Sequence, residues 1–280
     1  MSYIPPITHI QPSKGSFRFG WKEIWNYRDL LYFLVLRNIT ILYKQTVLGF
    51  GWAILNPALQ MVLFTLIFGY LGNLPSDDVP YAVFSYAALI PWTYFSQSLS
   101  SATNSLISST GIISKVYFPR IIIPMAAIIS KLLDFLIAFV FMILLMIYYK
   151  IIPTGNIIWL PLLTLILILT SAGIGFWMSA LAIRYRDVKF TIVYFIQILM
   201  YLAPVVWPMS LLESKIGSTA MKVYSIYPLA GVIEGFRSAL LGTVPMPYVY
   251  ILNGGIASIV LFVSGMMYFQ RVEKHFADVA

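Results

Sequence analysis

One carboxylate stands inside the long apolar runs of this chain: Asp134, with Lys131 one turn before it. A lone charge in hydrocarbon is costly, so a Lys and an Asp at i,i+3 read first as a satisfied ion pair near a membrane face. Their second reading is a proton relay. The two histidines, His9 and His275, lie near the termini, and there is no cysteine. Those facts exclude disulfides and thiolate metal sites and leave no histidine cluster for a metal or for Ser-His catalysis. No G-x-x-x-x-G-K-[ST] occurs, so the chain has no P-loop to cradle nucleotide phosphates. The ten Asp and Glu are scattered, whereas a membrane-embedded transferase would gather them at one face. A proton-coupled carrier is a second alternative, and it would rest on Asp134.

The other polar residues of the apolar runs fall in stripes. Thr93, Gln97, Ser100, Asn104 and Ser108 recur at helical spacing beside Trp92, Tyr94 and Phe95. Tyr194, Gln197 and Tyr201 follow at i, i+3 and i+7, with Trp207 beyond, and an earlier run adds Gln60, Phe64 and Phe68. Amides and hydroxyls face lipid only at a cost, so these stripes face another helix or a hydrated lumen. Helix packing is the commoner account of the first stripe. The functional account is a polar and aromatic conduit: sugar rings stack their C–H faces on aromatic rings and offer hydroxyls to amides. On that account the channel lining is Phe64, Phe68, Tyr94, Gln97, Asn104, Tyr194, Gln197 and Tyr201.

The elements that position these residues are six runs, near 52–72, 81–107, 121–149, 157–183, 189–207 and 248–270. A helix needs about 20 apolar residues to cross the hydrocarbon core. With 60% hydrophobic and 10% charged residues, the chain reads as an all-α polytopic membrane protein, and period-two alternation, the mark of a β-barrel, is missing. Lys and Arg sort by side: 14 of the 18 fall in the N-terminal segment, the second-to-third and fourth-to-fifth junctions, and the tail. By the positive-inside rule both termini are cytoplasmic. The net charge of +8 is mostly this topology signal and does not indicate nucleic acid. No signal-peptide pattern is present, and the first span is expected to serve as the insertion signal.

Residues 18–45 form a different helix. Arg18, Lys22, Asn26, Asp29, Arg37, Thr40 and Lys44 make one polar stripe, interrupted by Phe33, on an otherwise apolar surface. Such a helix lies in the cytoplasmic interface, its basic stripe toward headgroups or a partner. Between the fifth and sixth spans, from Pro208 to Pro247, a Gly- and Pro-broken apolar segment suggests short re-entrant helices in the outer leaflet. Val232, Ile233, Phe236, Ala239 and Leu240 share one face there, with Glu234 and Arg237 at i,i+3 on another. The alternative is a folded outer loop. The domains are therefore 1–50, cytoplasmic N-terminus and interface helix; 51–270, six-span domain; and 271–280, cytoplasmic tail.

The segment Arg37–Asn56, RNITILYKQTVLGFGWAILN, resembles the N-terminal signature of permease subunits of bacterial polysaccharide-exporting ATP-binding-cassette transporters, the type-2 exporter family. Further matches follow in order: Asn104–Pro124, with IISKVYFPR at Ile112–Arg120; Arg184–Val188, RYRDV, then Ala203–Pro208, APVVWP; and Tyr227–Ala230 through Glu234, Phe236 and Arg237 to Leu241-Gly242. They extend over nearly the whole chain. Tyr227 departs from the Asn common there in the family.

The resemblance implies a half-transporter without enzymatic activity of its own. Two copies would form the channel, and two separate ATPase subunits, carrying the ATP and Mg, would dock below. The cytoplasmic junction about 108–120 would be a coupling helix, with Lys115, Tyr117 and Arg120 contacting the ATPase and Arg184, Arg186 and Asp187 beside them. The segment about 208–242 would be an outer gate, with Trp207, Glu234 and Arg237. The substrates implied are lipid-linked polymers such as O-antigen, capsule or teichoic acid, crossing the bacterial cytoplasmic (inner) membrane. Arg28, Arg37 and Lys44 would then attract an anionic headgroup; positive-inside topology and contact with membrane lipids account for them equally well. An exporter of drugs or small lipids in the same superfamily would share these coupling elements.

Overall fold

The computed structural model describes residues 21–44, 46–113 and 115–273. They form α1 Trp21–Asn26, α2 Arg28–Tyr43, α3 Gly51–Phe64, α4 Tyr81–Ser108, α5 Thr110–Ile113, α6 Ile122–Tyr149, α7 Leu160–Arg184, α8 Val188–Leu202, α9 Met209–Tyr224, α10 Pro228–Leu241 and α11 Tyr248–Glu273. A π-helical turn, Thr65–Leu71, extends α3, and a 3₁₀ turn, Gly155–Trp159, leads into α7. No strand occurs among the described residues. The chain is an all-α membrane protein.

Four helical stretches are long and apolar enough to cross a membrane: Gly51–Leu71, Ile122–Tyr149, Gly155–Arg184 and Tyr248–Glu273. These match the first, third, fourth and sixth expected runs within a few residues. α4 has the length, but its Ser, Thr, Asn and Gln make it less apolar than those four. It is also the most enclosed of the long helices, packed against α3, α6, α7 and α10. The fifth expected span, 189–207, is shorter than the sequence suggested. α8 is 15 residues long and stops at Leu202, because Pro204 cannot continue a helix and biases Ala203 to the extended conformation it adopts here. Residues 203–206 follow as buried irregular chain.

The expected interface helix is two pieces, parted at Tyr27. Its residues 18–20 lie outside the described residues, as do Gln45, Ser114 and the tail from Lys274. α2 packs on α6, with Leu34 buried at the contact. The rest of its surface mixes exposed Tyr32, Phe33, Leu36 and Ile41 with the basic residues. That suits a helix seated among headgroups, where one side meets acyl chains and the charges reach water.

In lipid there is little hydrophobic gain in bringing helices together, so close packing and hydrogen bonds must hold them. α7 and α11 meet through glycines. A Cβ on Gly173 would lie 2.5 Å from the Leu261 carbonyl carbon, and one on Gly265 would overlap the Gly173 carbonyl oxygen. Trp177 stacks on Tyr268 at 4.1 Å beside this seam and donates its indole N–H to Ser264 Oγ. α10 is buried along its entire length. It nests on α11, with Gly254 against Pro228 and Gly231 against Tyr250.

Candidate functional site

α4 positions the first stripe. Thr93, Gln97, Ser100 and Asn104 are half-buried and Ser108 is exposed, on a helix whose other faces are enclosed. The helical period thus turns one face to the open side of the bundle. Thr93 Oγ1 and Asn104 Oδ1 are shielded from solvent and have no hydrogen-bond partner in the protomer, as is Gln60 Oε1 on α3. Asn104 spends its amide N–H locally, on the Ser100 carbonyl. Shielded acceptors of this kind cost free energy unless water, ligand or another chain meets them.

α3 and α8 both pack on α4, with no substantial contact to each other. The polar face is therefore the floor of a trough with α3 and α8 as its sides. Phe64, at the end of α3, and Phe68, on the π-helical turn that extends it, are half-buried, ring edge to ring face at 5.5 Å. α8 is mostly exposed: Tyr194 is 68% exposed, Tyr201 64%, and Gln197 lies exposed between them. Tyr94 parts from the group expected to line the path. It is 3% exposed, its hydroxyl donates to the Ile128 carbonyl, and its ring stands edge-on to Phe135. One position beyond Thr93 is about 100° around a helix, enough to move a side chain from the open strip into the core.

The cytoplasmic junction expected as a coupling helix is one short turn, α5, followed by irregular chain. Its tip projects: Lys115 and Val116 are exposed and Tyr117 is 89% exposed. Phe118 is buried and fixes the segment to the bundle. Arg120 turns inward, its backbone N–H donating to Glu273 Oε1 at 2.7 Å and its guanidinium to the Glu273 carbonyl. Arg184, Arg186 and Asp187 are exposed between α7 and α8, with Arg184 over the Tyr185 ring and the Asp187 carbonyl accepting from Thr191 Oγ1. On the interface helix Arg28 is exposed, pairs with Asp29 at 3.7 Å and lies over Trp25. Arg37 and Lys44 share a shallow groove with Phe33, Leu36, Thr40 and Ile41. Arg37 Nε is shielded there without a partner.

The residues expected at the outer gate form a lock. Arg237 is 1% exposed and its guanidinium lies 3.6 Å from the Phe84 ring centroid. It donates to the carbonyls of Phe84, Trp207 and Val205 and to Glu234 Oε2 at 3.3 Å. It thus joins α10, the start of α4 and the chain after α8. Trp207 is half-buried, with its indole N–H shielded and unpartnered. The sequence placed Glu234 and Arg237 on a face apart from the apolar one. In the structure both are inside, since α10 has no exposed side.

Two contacts escaped the sequence reading. The Tyr43 hydroxyl donates to Asp134 Oδ1, while Lys131 holds Asp134 Oδ2 at 3.2 Å, so an acid of α6 clasps the end of the interface helix. Glu273 is the other. The only sequence cue was a polar residue near the cytoplasmic end of an apolar run, and it names no partner. Among the described residues no group of His, Asp or Glu could hold a metal.

The ABC-2 type transporter model matches residues 29–241, from the interface helix to the end of α10. The chain belongs to the ABC-2 type transporter family. An O-antigen export system permease protein, RfbA, of Klebsiella pneumoniae is 26% identical over 253 residues, covering 90% of this chain and 95% of that one. RfbA of Myxococcus xanthus is 24% identical over 217 residues, covering 78% and 82%. The polysialic acid transport protein KpsM of Escherichia coli is 27% identical over 217 residues, covering 74% and 80%.

Proposed function

We propose that this chain is the channel-forming permease subunit of an ATP-driven exporter of lipid-linked polysaccharide, of the O-antigen type, in the bacterial cytoplasmic membrane. The observation that carries the reading is the trough of α3, α4 and α8. Its floor is polar and holds shielded acceptors without partners, and α8 beside it carries exposed tyrosines. A second copy laid against it would turn an open trough into a closed lumen. Amides, hydroxyls and ring faces along such a lumen suit a sugar chain that slides without one tight site. The named relatives in O-antigen and polysialic acid export support that choice of cargo.

In this reading α3, α4, α6, α7, α8 and α11 are the six crossing elements, and both termini are cytoplasmic. α8 completes its crossing with the irregular chain after it. Two copies of the chain work with two separate ATPase subunits, which bind the ATP and Mg. Lys115 and Tyr117 at the exposed tip, with Arg184, Arg186 and Asp187 next to the bundle, face the ATPase; Arg120 supports them from behind. ATP-driven closure of the ATPase pair pushes on this rim, and packed helices shift as rigid units to open the lumen. The basic residues Arg28, Arg37 and Lys44 hold anionic headgroups at the inner leaflet. α9 and α10 form the outer gate, with Arg237, Glu234 and Trp207 as its lock.

The test uses the chain co-expressed with its ATPase and reconstituted in vesicles. Lys115→Glu with Tyr117→Ala is expected to lose the ATPase on purification while the permease stays folded. Single cysteines at Tyr194 and Tyr201, in a chain with no other cysteine, are expected to react with a soluble maleimide in an open state and to be shielded by the glycolipid. An ATPase that stays bound to the doubly substituted tip, or tyrosine positions that never label, would sink the reading.

A further inference from the structure

We infer that α11 is the strut joining the cytoplasmic rim to the outer gate, with Glu273 as the residue that couples it to the rim. The inference rests on the reading of the 110–120 segment as the part the ATPase moves. Three joints carry it. At the inner end Glu273 Oε1 takes the Arg120 backbone N–H at 2.7 Å, and the Glu273 carbonyl takes the Arg120 guanidinium at 3.5 Å. The acceptor therefore sits on a backbone N–H two residues ahead of α6, close to the positive end of that helix, where a carboxylate is favoured. Phe118, two residues earlier, is buried, as is Phe269, one turn before Glu273. The rim segment and the end of α11 are thus bonded and packed as one piece, while Tyr117 projects away from it.

The second joint is the seam with α7. At Gly173 and Gly265 the two backbones touch, with no room for a methyl group on either side. Helices in such contact do not slide past each other; a displacement of one is passed to the other. Phe176 meets Phe262 and Phe269 along the same seam. The third joint is at the outer end. Pro228 rests on Gly254, and a Cβ on Gly231 would lie 2.6 Å from the Tyr250 carbonyl oxygen. The Asn253 amide also donates to Ser225 Oγ at 2.8 Å, just before α10. α10 then holds the chain at 205–207 through Arg237. One helix is therefore bonded to the rim segment at one end, locked to α7 along its middle and backbone-close to α10 near its other end, and it reaches the gate without passing through α3, α4 or α8, which form the trough.

The experiment is done on the complete complex in vesicles, reading ATPase retained, ATP hydrolysed and glycolipid exported. Glu273→Ala removes the acceptor; Glu273→Gln keeps an oxygen that can accept the same N–H. Glu273→Ala is expected to keep the ATPase bound and hydrolysing while export per ATP falls about fivefold to tenfold, the range of a single coupling contact. Glu273→Gln is expected to stay near the parent. The rigid-body claim is tested separately with Arg120→Cys/Glu273→Cys. Unbridged, this pair should export poorly; bridged by a short bismaleimide, it should recover. Parental export by Glu273→Ala, or a bridged pair that stays blocked, overturns the strut. Loss of the bound ATPase from Glu273→Ala also overturns it, making Glu273 a prop for the docking surface, and leaves the docking reading intact. If Glu273→Ala does not fold, the bridged and unbridged pair decides alone. Failure of the Lys115→Glu/Tyr117→Ala test, by contrast, strikes at the docking reading itself.

Discussion

At the scale of single residues, Arg237 decides the most. A guanidinium has five N–H donors and no way to lose its charge. Here it meets three carbonyls, a carboxylate and an aromatic face in a site that excludes solvent. Removing one member of a buried pair strands the other, at a cost of about 3–5 kcal/mol, whereas replacing both by apolar groups of similar volume costs far less. Arg237→Met is therefore expected to lower the thermal midpoint in detergent sharply, and Glu234→Leu/Arg237→Met to recover more than half of the loss. A double variant no better than the single one would show that the carbonyl bonds, rather than the ion pair, hold α10 in place. Asp77 in the adjoining loop works in the opposite direction. Burial, with a lesser push from Asp78, raises its pKa above the ordinary 3.8, against the pull of Arg237 and of the Ser210 hydroxyl. Its Oδ2 is shielded and unpartnered. A raised carboxyl favours the fold while protonated; that contribution is present below the ordinary pKa and lost as pH rises through the raised one. Asp77→Asn, a residue also suited to the positive φ of 50° there, should raise the midpoint at neutral pH and give no gain in strong acid. An equal shift at both pH values would place the effect in the backbone instead. Neither residue's role was legible in sequence: an i,i+3 Glu–Arg pair announces an ion pair, and only the tertiary fold shows which carbonyls surround it.

At the scale of elements, what the sequence states and what it leaves open divide along physical lines. Apolar length sets the spans, so the α3, α6, α7 and α11 stretches appear within a few residues of their expected limits. Helical period sets the stripes, so the Thr93–Ser108 series does lie on the open face of α4. Breaks are less legible. Tyr27 carries no breaker signal, yet the chain leaves helical geometry there, with φ −100° and ψ 20°, and parts α1 from α2. Pro204, by contrast, is a breaker that the expected run 189–207 overrode on hydropathy alone. Adjacency mislabels too: Tyr94 joined the polar stripe by sequence proximity, although its hydroxyl points to α6. The glycine seams were hidden for a different reason. Glycines in apolar runs are common, and only the partner's backbone reveals which of them are contacts. Gly265→Val is expected to destabilise by at least about 1–3 kcal/mol, the cost of overpacking, and to separate α7 from α11. Gly255→Val, one helix face away and with only Ile166 nearby, should be much milder. Equal losses at the two sites would deny the seam its special standing.

At the scale of the whole molecule, the placement of charge bears on the source of energy. Among the described residues, most charged groups of the long helices gather at their ends, Arg184 and Lys189 around the α7–α8 junction and Arg271 and Glu273 at the close of α11; Lys131 and Asp134, well inside α6, are the exception. Export driven by a proton gradient would call for a carboxylate within the path, alternately open to each side. Asp134 is instead closed in by Lys131 and by the Tyr43 hydroxyl. Burial and the neighbouring carboxylate push the Tyr43 pKa up from its ordinary 10.0, so the hydroxyl keeps its proton at every physiological pH. Its contribution to the fold is lost only as pH climbs past that ordinary value. The triad ties the interface helix to α6, with both carboxylate oxygens of Asp134 engaged. Asp134→Asn leaves Lys131 without its counter-charge and should lower the stability of the complex. Export that survives in this variant should still require ATP and should not change when the pH gradient across the vesicle is collapsed. A parental complex whose export falls with the gradient, and an Asp134→Asn complex that escapes that dependence, would make Asp134 a transport residue and the ATPase an accessory.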